Sequence, residues 1–249
     1  MAEACDIIHI CLSNSPQIEA AMRDADGILA GARPGLIVID TSTADPTSTL
    51  TLAAELAAKG GHFVDAPLGG TPVQAEEGKL SAMVGCTPEV FDQVRPVIAA
   101  WAATITHIGP VGDGHKMKLL MNFISLSYGA LYSEALTLGA KVGIAPQTFR
   151  KVIGPSRMGC GFFETFMGYA VDRNRDAHKF TLENAAKDIG YLNDMAADAG
   201  VMNVMAGAAR QYYTHALAIG KAADYVPMLS DHVGRLNGVD LAAAVEKGK

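Results

Sequence analysis

No cluster of lysine and arginine occurs anywhere in the 249 residues, and the formal net charge is -6. That excludes the basic footprint with which proteins grip nucleic-acid phosphates. The four cysteines (Cys5, Cys11, Cys86 and Cys160) form no CxxC pair and have no histidine at ligand spacing. They read as buried, reduced thiols of a cytoplasmic protein, with no metal site and no disulfide framework. No apolar run approaches the ~20 residues that cross a bilayer. No basic segment followed by an apolar stretch marks a signal peptide. The expectation is a soluble, cytoplasmic chain whose partners are small molecules or further copies of itself, without nucleic acid or membrane. Hydrophobic residues at 49% and charged residues at 18% allow a sizeable core.

A further absence is the motif GxGxxG between a first strand and a first helix, where a dinucleotide-binding sheet carries its phosphate cradle. Leu12-Ser13-Asn14-Ser15 contains no glycine. Gly109 to Gly114 is the only glycine cluster that follows a strand and opens a helix. Its third position would be Met117, too large for close helix–strand packing, so it reads as an interdomain turn.

What is present alternates. Apolar runs at Ile7–Leu12, Leu36–Asp40 and His62–Asp65 read as strands, and Ala- and Leu-rich stretches at Pro16–Leu29 and Pro46–Lys59 as helices between them. This order predicts a parallel sheet covered by helices, with ligands at the carboxyl ends of the strands. Leu80–Val84 and Thr104–Ile108 read as two further strands around a helix over Glu89–Trp101. From His115 onward β-branched alternation disappears. A long helix to about Val142 opens an all-helical half, with breaks near Gly143 and at Gly154-Pro155. The fold class expected is therefore α/β, a partial Rossmann-like sheet domain over 1–112, followed by an all-α domain over 113–249.

Four ordered segments give this frame a family. They are Asp40-Thr41-Ser42-Thr43-Ala44-Asp45-Pro46, Asp65-Ala66-Pro67-Leu68-Gly69-Gly70, Gly109 through Asn122, and Lys187-Asp188. In this order and spacing the chain resembles the β-hydroxyacid dehydrogenases, among them 3-hydroxyisobutyrate dehydrogenase, tartronate semialdehyde reductase and the related 6-phosphogluconate dehydrogenases. The resemblance runs from about Asp6 to about Asp224. It implies that the chain starts near the family's fourth strand, and that the segment bearing GxGxxG is missing.

The resemblance also implies roles. Lys118 falls on the catalytic lysine and Asn122 on the asparagine four residues later; that spacing puts both on one helix face. A lysine can donate a proton to a carbonyl oxygen or accept one from a hydroxyl. The bland alternative for both is a solvated helix surface. Gly69, Gly70 and Thr71 fall on the substrate loop, where the family's Ser-Gly-Gly is here Gly-Gly-Thr. The loop hydroxyl has thus moved two positions or been lost. Leu12, Ser13, Gln17, Thr43 and Lys187 fall on positions that meet the cofactor, NAD or NADP. For residues before Pro46 the alternative is a helix cap, and for Lys187 an ion pair.

The implied activity is oxidation or reduction of a small β-hydroxyacid or its semialdehyde, with lysine as proton donor and acceptor. The helical half is expected to build a homodimer or homotetramer. The alternative is a catalytically silent, truncated fragment or dimerising binding module unable to hold the dinucleotide.

Overall fold

The computed structural model describes residues 2–248. The chain divides into two compact units, Met1–Met121 with Ala197–Ala199, and Asn122–Ala196 with Gly200–Lys249.

The first unit carries β1 (Ile7–Ile10), α1 (Ser15–Arg23), β2 (Ile37–Asp40), α2 (Pro46–Ala57), β3 (His62–Asp65), β4 (Leu68–Gly69), α3 (Pro72–Glu76), β5 (Leu80–Gly85), α4 (Pro88–Ile98) and β6 (Ala102–Gly109). The strands β1, β2 and β3 are parallel, with Ile8 beside Val38 and Val38 beside Phe63. Their side chains alternate between two buried layers. Ile8, Val38 and Phe63 pack with Ile18, Leu52 and Leu56 of α1 and α2. Ile37, Ile39 and Val64 pack with Val90, Val94 and Ile98 of α4. β2, the central strand of the three, is covered on both faces along its whole length, which is why it reads as an apolar run. Each such side chain contributes about 1.5–3 kcal/mol when fully buried.

The sheet is mixed rather than parallel throughout. β5 runs antiparallel to β3 at Asp65↔Gly85 and to β4 at Gly69↔Ser81, and β6 then runs parallel to β5. Between β3 and β5 the chain spends its length on β4, which pairs antiparallel with β5, and on a short helix, instead of on one crossover helix that would return the strand parallel. The carboxyl-end edge of parallel strands therefore belongs to β1, β2 and β3. Asn14 and Asp45 accept N–H bonds from Gln17 and Thr47 and cap α1 and α2. α1 ends at Arg23 instead of Leu29, because Asp24-Ala25-Asp26-Gly27 breaks it before a short 3₁₀ turn at Ile28–Gly31. Of the four cysteines only Cys86 is buried, while Cys11 and Cys160 are exposed. Cys11 lies beyond the end of β1, which stops at Ile10 and not at Leu12.

Helix α5 (Asp113–Lys141) starts in the first unit and continues into the second. The second unit adds α6 (Pro146–Ile153), α7 (Gly161–Ala170), α8 (Leu182–Asp198), α9 (Val204–Ala218), α10 (Leu229–Leu236) and α11 (Leu241–Lys247). Its core joins Leu126, Phe163, Phe166, Leu182 and Tyr213. The Tyr213 hydroxyl donates to the Leu126 carbonyl at 2.7 Å, so its polar end is satisfied within that core. Among the described residues no helix is long and apolar enough to cross a membrane.

Candidate active site

The first turn of α5 is fixed by an internal anion. Asp65, fully buried at the end of β3, accepts N–H bonds from Gly112 at 2.7 Å and His115 at 2.8 Å. A carboxylate at a helix N-terminus is held by unpaired amides and by the helix dipole. The glycines make that approach possible. Gly112 has φ +94°, and a Cβ on Gly114 would lie 2.8 Å from an Asp65 carboxylate oxygen and 2.4 Å from the Met83 carbonyl. The turn at Gly109–Gly114 thus seats a side chain of the protein itself. Burial pushes the Asp65 carboxyl above the ordinary carboxylate range, opposed by the charge of His115 and by the two N–H donors.

An acid raised on folding binds its proton more tightly in the native state. Its contribution to stability therefore falls as pH climbs from the ordinary carboxylate range to the native pKa, and is flat above it. Asp65→Asn removes that slope, but turns an NH₂ toward one of two N–H donors. A cost of about 2–3 kcal/mol is expected at neutral pH. Urea unfolding followed by Trp101 fluorescence, the single tryptophan of the chain, reads it. A loss below half that figure would mean that Asp65 does not cap α5.

Lys118 stands on the second turn of this anchored helix, half-buried. Lys116, two residues earlier, is engaged with Asp113 at 2.9 Å. At the edge formed by β1, β2 and β3, the loops are stitched to one another. Leu12 N–H donates to Ser42 Oγ at 2.9 Å, and the Thr41 hydroxyl to the Ile10 carbonyl at 2.9 Å. Thr43 follows, half-buried, and Ser13 is exposed. These hydroxyls at the ends of parallel strands fit the polar ribose and carboxamide groups of a nicotinamide nucleotide. The start of α1 fits a pyrophosphate less well. Ser13 N–H is taken by the Gln17 amide oxygen at 3.0 Å, and Gln17 N–H by Asn14 at 3.0 Å.

The loop at Gly69, Gly70 and Thr71 resolves the displaced hydroxyl. Thr71 caps α3, accepting from Gln74 N–H while its own N–H goes to the Gln74 side chain. Its oxygen is a cap. Beside Gly69 stands Ser81 of β5, whose hydroxyl donates to the Gly69 carbonyl at 3.2 Å. A Cβ on Gly69 would meet that same oxygen at 2.4 Å, so Ser81 fills the space of a residue-69 side chain. Sequence reading missed Ser81, because cross-strand pairing through a two-residue strand leaves no periodic signal.

In the second unit Asn122 and Lys187 come together through Asp188. The Asn122 amide donates to Asp188 Oδ2 at 2.6 Å, and Lys187 Nζ lies 3.0 Å from Asp188 Oδ1. Lys187 also sits 5.4 Å from the centre of the Tyr191 ring. Asp188 is buried, and two partners of this kind are what a buried carboxylate requires. The motif Lys187-Asp188 carried the signal for Asp188, to which the sequence alone attached no role.

Comparison with known proteins agrees with this layout. Residues 1–109 match the sequence family described as the NAD binding domain of 6-phosphogluconate dehydrogenase. Residues 112–230 match that of the NAD-binding region of NADP-dependent 3-hydroxyisobutyrate dehydrogenase. The chain is 32% identical over 220 residues to 2-(hydroxymethyl)glutarate dehydrogenase of Eubacterium barkeri, covering 88% of itself and 73% of that protein. It is 29% identical over 220 residues to 3-sulfolactaldehyde reductase of Escherichia coli, covering 88% of itself and 74% of that protein. Mycobacterium tuberculosis 3-hydroxyisobutyrate dehydrogenase, solved with L-serine, shares the fold at a TM-score of 0.84 and 24% identity, over 93% of this chain and 80% of that one.

Proposed function

We propose that this chain, which belongs to the β-hydroxyacid dehydrogenase family, interconverts a small β-hydroxyacid and its semialdehyde with NAD or NADP, and that Lys118 moves the proton. One observation carries the reading. Lys118 stands on a helix whose first turn is bonded to Asp65, at the same sheet edge where Ser13 and Thr43 offer hydroxyls. Relatives named for 2-(hydroxymethyl)glutarate and 3-sulfolactaldehyde fit the substrate class.

A bound nicotinamide supplies the hydride, or takes it up, at the substrate carbon. In the reducing direction Lys118 Nζ gives a proton to the carbonyl oxygen; in the oxidising direction the neutral amine takes the hydroxyl proton. Asn122, one turn further along α5, gives one amide N–H to Asp188 and the other to the substrate oxygen. Backbone N–H groups of the Gly69-Gly70 turn hold the substrate carboxylate, the Thr71 N–H being engaged by Gln74, with the Ser81 hydroxyl in place of the family's loop serine. Leu12, Ser13, Gln17, Thr43 and Lys187 are assigned to the cofactor. Association with a second copy fits the apolar side chains that α5 exposes in the second unit, Ile124, Leu131 and Leu138, with Val142 just past its end.

A second reading, a chain that keeps the fold but holds the dinucleotide weakly, is favoured by the amides at the start of α1 that Asn14 and Gln17 already occupy. Titration with NADH and NADPH, followed by nicotinamide fluorescence, separates the two. The enzyme reading expects a dissociation constant of about 1–100 μM for one of them, then turnover of a β-hydroxyacid such as 3-hydroxyisobutyrate or 2-(hydroxymethyl)glutarate. Millimolar binding or none overturns it in favour of the second.

A further inference from the structure

The first unit contains two buried polar atoms that face each other without a bond. Asp40 Oδ2 and His115 Nε2 are 3.9 Å apart, their side chains 1% and 0% exposed, and neither atom has a hydrogen-bond partner among the described residues. Every other polar contact of the pair is made. Asp40 Oδ1 accepts from Ser42 N–H at 2.9 Å. His115 Nδ1 lies 2.8 Å from the Thr49 hydroxyl, which is itself 3.0 Å from the Asp45 carbonyl.

The hydroxyl settles where the protons are. Thr49 has one hydrogen, and the Asp45 carbonyl can only accept it. Thr49 Oγ1 must then accept from His115, so Nδ1 carries a hydrogen. Across from Nε2 stands the Asp40 carboxylate, and Asp65 is a second carboxylate, bonded to the His115 backbone amide.

From this geometry we infer that His115 is a positioning residue, seating the first turn of α5 against Asp40 of β2 and bonding it to Thr49 of α2, and so setting where Lys118 points. His115 touches neither substrate nor cofactor. It lies three residues before Lys118 on the same helix, so a shift of its ring is passed to the lysine through one turn of backbone. Asp40 also holds the loop Thr41-Ser42-Thr43 through Oδ1, which accepts from Ser42 N–H, and the amide oxygen of Asp40→Asn keeps that acceptor. This inference rests on the assignment of Lys118 to the proton step.

The test compares wild type with Asp40→Asn, a change of charge at nearly constant shape, and with His115→Asn, which keeps a donor toward Thr49. Two signals are read by NMR: the ring nitrogens of ¹⁵N-labelled His115, and the ¹³C-methyl resonances of reductively dimethylated Lys118. Expected are a protonated Nδ1 in wild type and displaced Lys118 methyl signals in both variants. In turnover assays kcat is expected to fall by on the order of 10²-fold, with cofactor affinity and substrate KM held within about twofold. A merely structural role would move stability but not split kcat from KM in this way. An unprotonated Nδ1 in wild type, or unmoved Lys118 signals in both variants, overturns the inference. If Lys118→Ala abolishes turnover while both variants keep wild-type kcat, the positioning role falls and the role of Lys118 stands. If Lys118→Ala itself retains turnover, the reading beneath it has failed. Where His115→Asn does not fold, Asp40→Asn carries the test.

Discussion

Replacing Lys118 with alanine is expected to lower kcat by about 10²–10⁴-fold, the range that a positioned acid or base supplies, while the dissociation constant for NAD(P) stays within about twofold. The split follows from where the residue stands. Its helix is held at its first turn by the bonds from Gly112 and His115 to Asp65, so truncating a side chain on the second turn removes an ammonium without loosening the sheet edge. The substrate oxygen then gains or loses its proton to water, at a cost of about 3–5 kcal/mol in the barrier. Lys118→Arg keeps charge and length, yet a guanidinium does not give up its proton in this range. It is therefore expected to restore little. Steady-state kinetics in both directions, with nicotinamide fluorescence for affinity, decides the matter, and full turnover in Lys118→Ala would remove it from the reaction.

The same neighbourhood shows what a single sequence discloses. Lys118 and Asn122 were marked by the family resemblance, and their i, i+4 spacing adds only that both lie on one face of a long helix. β2 was legible because a strand buried on both faces reads as an apolar run. Asp65 was visible as the head of a family-like segment, but its bond to α5 spans 47 residues to Gly112 and 50 to His115. No local pattern encodes a contact of that range. β4 has two residues, too few for any period, and with it went the antiparallel turn of the sheet and the pairing of Gly69 with Ser81. His115 is buried between Thr49, Asp40 and the amide contact to Asp65, partners that only the folded sheet assembles.

Gly114 is where the cost of these long-range contacts is expected to appear most strongly. Its φ does not demand glycine; the space does. A Cβ would sit 2.4 Å from the Met83 carbonyl oxygen, 2.8 Å from the Asp65 carbonyl oxygen and 2.8 Å from an Asp65 carboxylate oxygen. Two of these are backbone atoms of neighbouring strands, and the third is a carboxylate bonded to α5, so none is a flexible tip that can swing away. Gly114→Ala is expected to cost about 4 kcal/mol or more, at the upper end of what overpacking produces. Gly112→Ala offers the control. There the positive φ costs about 1 kcal/mol, and the nearest atoms belong to the Leu50 side chain, which can move. Thermal unfolding read by Trp101 should place Gly114→Ala about 8–16 °C below wild type and Gly112→Ala only a few degrees below. Equal, small losses in both would mean that α5 does not begin against Asp65. Lys118, Asp65 and His115 would then lose their common frame, since the lysine is placed for chemistry only as firmly as the glycine beneath it lets the helix meet the sheet.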